Sequence, residues 1–149
     1  MNLSAVVELR RELEKEKSRL ESLKAAVTNL TVKLDELPRS SARVSRTEKL
    51  ATQIIDSERR IAELEIELVN QALNLTEEIL RRVAGQSANV LLMRYIGIKS
   101  FEDIAARLNY SRSYVSRLHR QGVKAFEEAK SNDTNHDRRR PDTSTASAL

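Results

Sequence analysis

Along the first third of the chain, Val6, Leu9, Leu13, Glu16, Leu20, Leu23, Val27, Leu30, Leu34 and Leu37 follow one another at alternating intervals of three and four residues. Nine of the ten are apolar. Such a stripe is the a/d seam of a heptad repeat and predicts a long helix of the coiled-coil type. Glu16 interrupts it, either as a tolerated surface defect or as a polar contact that sets register. The helix is expected to end at Leu37-Pro38, because proline lacks an N–H and disfavours helical geometry in the residue before it. Residues 39–44 then read as a loop. Ser45-Arg46-Thr47-Glu48 reads as a capping box, with Ser45 as N-cap and Glu48 reaching back. A second seam follows at the same spacing: Leu50, Ile54, Ser57, Ile61, Leu64, Leu68, Gln71 and Leu75. Two long helices joined by a short loop predict an antiparallel hairpin.

The second helix carries another stripe on a different face: Ile66, Val69, Leu73, Leu80 and Val83. A two-helix hairpin buries one face of each helix, so this stripe calls for a further partner. Either the C-terminal part of the chain or a second copy of the protein fits that need. Ala84-Gly85-Gln86 breaks the helix, with Gly85 as a C-terminal cap. A third helix is expected over about 88–95, capped by Ser87 and turned inward by Val90, Leu91 and Tyr95. Ile96-Gly97-Ile98-Lys99 forms a turn. Ser100-Phe101-Glu102-Asp103 starts a fourth helix, which runs to about Leu108. A fifth is expected from Arg112 to near Lys130, loosened at Gly122. The remainder, SNDTNHDRRRPDTSTASAL, is polar and aperiodic and reads as a disordered tail.

Charge and aromatic content divide the chain. Residues 1–86 carry 15 Lys/Arg against 15 Asp/Glu, residues 87–130 carry 8 against 4, and residues 131–149 carry 3 against 3. The formal net charge of +4 therefore resides in 87–130. All five aromatic residues lie there too: Tyr95, Phe101, Tyr110, Tyr114 and Phe126. Cysteine is absent, which excludes disulfides and thiolate metal sites. No apolar run approaches the about 20 residues of a membrane span, and the first residues lack the order of a signal peptide. These features lead to the expectation of a cytoplasmic protein that does not enter membranes.

The segment IAARLNYSRSYVSRLHR, residues 104–120, concentrates the candidate chemistry. Ile104, Ala105 and Leu108 supply an inner face, and Ala105 is small where a second helix crosses. Asn109 suits a left-handed turn. Tyr110 plugs the corner, and Ser111 caps the next helix. On that helix Val115 and Leu118 point inward, followed by Val123 and Phe126. The pattern is a helix-turn-helix. At 100° per residue, the outward direction holds Ser113, Ser116, Arg117 and Arg120, flanked by Arg112 and Tyr114. Residues 111–124 contain four Lys/Arg, one His and no acid. Short hydroxyls between arginines suit a DNA major groove: guanidinium groups bond guanine edges and attract phosphates, and the hydroxyls permit close approach.

These residues resemble a known family. Leu91-Leu92-Met93-Arg94-Tyr95, Ser100-Phe101-Glu102-Asp103-Ile104-Ala105, Leu108, Ser111, Val115, Leu118, Val123 and Phe126 together look like region four of bacterial sigma factors, the helix-turn-helix that reads the promoter −35 element. The resemblance covers about residues 87–130. It implies base reading by Arg112, Ser113, Ser116 and Arg117, with Arg120 further along the groove. Asn109 stands where a glycine is common, and Tyr114 where Thr or Arg is common. With the hairpin ahead of it, the layout also resembles phage or prophage regulators of the RinA and ArpU type. Nothing resembles the sigma region that melts promoter DNA, and the hairpin has no aromatic residue with which to stack on a melted strand.

Catalysis has little support. His119 and His136 are the two histidines; His119 is expected to be a solvated or phosphate-facing group beside the arginines. Gly85, Gly97 and Gly122 are scattered, so there is no glycine-rich phosphate loop. No enzyme activity, metal or cofactor is expected. The expected fold is all-α: an antiparallel hairpin over 1–84, a three-helix helix-turn-helix domain over 87–130, and a tail over 131–149. The expected function is a sequence-specific DNA-binding transcriptional regulator of a phage-type activator kind. Its expected partners are double-stranded DNA, a second copy in a homodimer and, through the hairpin, RNA polymerase. A phage DNA-packaging adaptor resembling a terminase small subunit, and a coiled-coil interaction protein, are the alternatives.

Overall fold

The computed structural model describes residues 2–34 and 41–137. Among them are five α-helices, one π-helical turn and no strand. The chain divides into two compact units, Met1–Leu73 and Asn74–Leu149. The division falls inside the second long helix, ahead of the boundary at 84 suggested by Gly85.

The first unit is built from α1, Ala5–Leu34, and the part of α2, Ser41–Arg82, that ends at Leu73. Alternating seam positions are buried as the heptad spacing predicts: Val6, Leu13 and Leu20 on α1, and Ser57 and Leu64 on α2. The helices run antiparallel, since Arg60 bonds Glu12 at 2.6 Å while Ser57 bonds Glu16 at 2.8 Å. The seam therefore closes within one chain. The polar intrusions of the two seams face each other, with Ser57 Oγ donating to Glu16 Oε1. Glu16 is thus a paired contact rather than a surface defect. Lys17–Glu65 at 3.4 Å adds an ion pair across the hairpin. Exposed pairs of this kind contribute about 0–1 kcal/mol each, so burial of the seam dominates.

The expected end of the first helix at Pro38 lies outside the described residues, as do the side chains of Leu34 and Leu37. The start of α2 differs from expectation. Residues 41–44 are helical rather than loop, so Ser45 lies inside the helix and is not its N-cap. Nothing between Ser41 and Ser45 opposes a helix: Ala42 and Arg43 are strong formers, and neither proline nor glycine intervenes. The Ser-x-x-Glu pattern described a possible start, but an earlier one was available.

The second unit holds the last turns of α2 and three further helices. α2 ends at Arg82, and Ala84 is extended. Gly85 takes φ +66°, a left-handed value that costs glycine little. α3 starts at Gly85 and runs to Leu91, two residues ahead of the expected cap at Ser87, which is inside the helix. A π-helical turn, Leu92–Ile96, follows it. α4 spans Phe101–Leu108 and α5 spans Arg112–Asp137. Val90, Ile104, Ala105, Val115 and Leu118 form the core, and Met93, Phe101, Leu108 and Tyr110 pack around it.

α5 is longer than its sequence suggests, and it is continuous. Gly122 does not loosen it. An added Cβ there would lie 3.0 Å from Leu91 Cγ and 3.2 Å from the Ser87 carbonyl oxygen, so the glycine lets α3 approach α5. The helix also continues beyond Lys130 to Asp137, through residues expected to belong to the tail. Ser131 and Thr134 turn their hydroxyls back onto the carbonyls of Glu127 and Lys130. Asp133 accepts from Arg82 Nη2 at 3.3 Å, and Arg82 lies over the Phe126 ring at 5.1 Å. The Arg82 contacts hold a stretch whose residue types are weak helix formers by themselves. Residues 138–149, including Arg138-Arg139-Arg140, lie outside the described residues.

Candidate nucleic-acid interface

The turn between α4 and α5 is set by local chemistry. Ser100 caps α4: its Oγ accepts the Asp103 N–H at 3.1 Å and lies 2.8 Å from Asp103 Oδ2. The Ser100 hydroxyl, and then the Ser100 backbone, favour the charged form of the Asp103 carboxyl and hold its pKa below the usual range. Asn109 then takes φ 61° and ψ 36°, the left-handed conformation that its side chain tolerates. Ser111 caps α5, its Oγ accepting the Tyr114 N–H at 3.2 Å. Tyr110 fills the corner against the core and meets Tyr114 edge-on, with ring centroids 4.9 Å apart.

This turn fixes which side of α5 faces inward. Val115 is wholly buried and Leu118 nearly so. Arg112, Ser113, Tyr114, Arg117 and Arg120 are exposed, whereas Ser116 is half-buried. Phe101, Arg112, Ser113, Ser116 and Arg120 line one open groove. Four of the six expected site residues thus border a common surface. Tyr114 and Arg117 lie beside it, with the Arg117 guanidinium 6.0 Å from the Tyr114 ring centre.

Two residues of this surface escape a reading by periodicity. Glu102, in the first turn of α4, accepts from Arg112 Nε at 2.8 Å. The bond occupies one edge of the guanidinium and leaves the two terminal nitrogens for another partner. Phe101 joins the groove from the same turn. Their signal was the N-cap at Ser100, which places the first turn of α4 beside the start of α5 once the helices cross.

His119 is not the solvated group expected from its arginine neighbours. It lies half-buried, with Nε2 2.9 Å from the Tyr95 hydroxyl, its ring stacked on Tyr95 and edge-on to Phe101. Burial lowers its pKa, and the nearby Arg94 charge lowers it further. Burial also raises that of the Tyr95 phenol, with Arg94 opposing. Arg94 itself donates to the Lys99 carbonyl at 2.9 Å and sits over Phe101 at 4.9 Å. On a helical wheel His119 adjoins Val115, at the rim of the inner face, and the π-helical turn brings Tyr95 over it. The cluster braces α5 from behind.

Residues 79–126 match the family described as sigma-70, region 4, a DNA-binding helix-turn-helix domain. The match begins in the last turn of α2 and ends at buried Phe126. Neither a curated protein nor a solved structure matches the chain. Among the described residues, no helix is long and apolar enough to cross a membrane.

Proposed function

We propose that the protein is a sequence-specific DNA-binding transcriptional regulator, a phage-type activator that acts near a promoter with residues 112–121 of α5 in the major groove. One observation carries this reading. Over residues 112–124, the face of α5 opposite buried Val115 and Leu118 is exposed apart from half-buried Ser116, carries no acid of its own, and alternates arginine with hydroxyl. A groove wall of that composition offers bidentate donors for guanine and short side chains for close approach. Arg112 and Arg117 are the base readers, and Ser113, Tyr114, Ser116 and Arg120 complete the contact. The protein works as a homodimer on two half-sites, which compensates for the small footprint of one helix-turn-helix. Its chemistry is recognition rather than catalysis, and RNA polymerase is the partner of a promoter-bound activator.

Binding-site selection from random DNA, followed by mobility shifts with Arg112→Ala and Arg117→Ala, tests the reading. A defined site should emerge, and each variant should lose preference at its own base pair. Recovery of no preferred sequence, or unchanged preference in both variants, overturns it.

A further inference from the structure

α2 presents an apolar stripe that the hairpin does not cover. Ile66, Val69 and Leu73 are 65%, 58% and 61% exposed, and Ala62 is exposed in line with them. The intervals from Ala62 to Leu73 are four, three and four, a heptad seam in its own right. One heptad earlier, Ile55 is also exposed, at 55%. Exposed side chains repeating at this spacing fit the flank of another helix rather than a globular pocket.

We propose that this stripe is a dimer interface whose occupant is the same stripe of a second copy, running antiparallel about a two-fold axis between Ile66 and Val69. The proposal rests on the dimeric reading above and names its surface. Size selects the antiparallel arrangement. In an antiparallel seam the a positions of one helix meet the d positions of the other. Ile66 then packs on Val69 of the second copy, and small Ala62 receives large Leu73 of the second copy, so the layers interlock. Between Ala62 and Leu73 the flanking positions bring Glu63 opposite Asn70 of the second copy and Glu65 opposite Ala72 of the second copy, with no like charges in contact over that stretch. A parallel seam instead stacks Ala62 on Ala62 and Leu73 on Leu73 of the second copy, so the layers do not interlock. The flanking acids are already balanced within the hairpin, Glu63 by Arg60 at 3.7 Å and Glu65 by Lys17 at 3.4 Å. An isologous contact of this kind closes at two copies.

The patch is short, so the dimer is reversible, with a dissociation constant on the order of 10 µM. The test uses the full chain. Light scattering over a concentration series should show a dimer. Ile66→Glu with Val69→Glu should convert it to a monomer with the helical circular dichroism unchanged, because both sites face water in the single chain. The chain has no cysteine, so introduced thiols report geometry without background. Ala62→Cys mixed with Leu73→Cys should give a disulfide joining the two variants on mild oxidation, whereas either alone should give none. Four results overturn the proposal: a monomer at 100-fold the expected dissociation constant (about 1 mM), a dimer that survives the double substitution, self-crosslinking by Leu73→Cys, or docking of a different protein in place of the second copy. A monomer that selects a DNA sequence removes the interface and leaves the DNA reading. A dimer with the expected crosslink and no sequence preference removes the DNA reading and leaves the interface.

Discussion

Glu102 and Arg112 offer the most informative perturbation, because their ion pair contributes little to folding but bears directly on recognition. The bond is 2.8 Å long, and the side chains are 68% (Arg112) and 63% (Glu102) exposed. Solvent screening limits such a pair to about 0–1 kcal/mol, so Glu102→Ala should leave the melting temperature nearly unchanged. On DNA the consequences are larger. With its Nε held by Glu102, the guanidinium presents its terminal nitrogens in a fixed direction. One bidentate contact with guanine is worth about 1–3 kcal/mol of discrimination, or about 5- to 150-fold between the right and wrong base pair. Arg112→Ala should lose that preference at one position and keep it elsewhere. Glu102→Ala should lose part of the same preference, yet bind unrelated DNA several-fold more tightly, because an acid near the phosphates is gone. Fluorescence anisotropy on the selected site and its single-base variants, at two or more salt concentrations, measures both effects. If Arg112→Ala preserves every base preference and lowers the salt slope by about 1, the arginine touches phosphate and the reasoning fails.

Three further expectations follow from the packing. Ser57→Ala should cost the hairpin about 1–3 kcal/mol, because the Glu16 carboxylate, 18% exposed, is left with only its 3.8 Å pair to Arg19, whereas Glu16→Leu with Ser57→Ala should be near neutral; chemical denaturation of the four-member cycle measures the coupling, and additive effects refute the pairing. Asn109→Ala should destabilise the second unit by about 1–2 kcal/mol because of the left-handed backbone, while Asn109→Gly should not; equal stabilities of the two variants refute this. His119 has a folded pKa below its unfolded value of about 6.5, so its neutral state contributes stability that is complete above that pH and lost as pH falls through the folded pKa. His119→Gln should flatten this acid limb in thermal melts taken between about pH 7.5 and 5; an unchanged limb shows that another group is responsible.

What could be read from the sequence was what neighbouring residues settle among themselves. The three-and-four spacing of Val6 to Leu30 specifies a helix with one apolar edge, whatever covers that edge. Ser100, Asn109 and Ser111 act on amides and dihedrals within a few positions, so the two caps and the turn were legible. Burial of Val115 and Leu118 followed from their spacing, and with it the outward direction of Arg117. Tertiary structure decided the matters that depend on residues distant in sequence. Glu16 read as either a surface defect or a register contact until Ser57, 41 positions away, supplied its partner. His119 looked solvated until the π-helical turn laid Tyr95 across it. Gly122 looked like a weak point until Leu91 occupied the space its missing side chain leaves. The last turns of α5 lacked a helical signature because their support is Arg82, on another helix. Periodicity states how much apolar or polar surface a helix must satisfy, and the fold alone states which distant atom satisfies it.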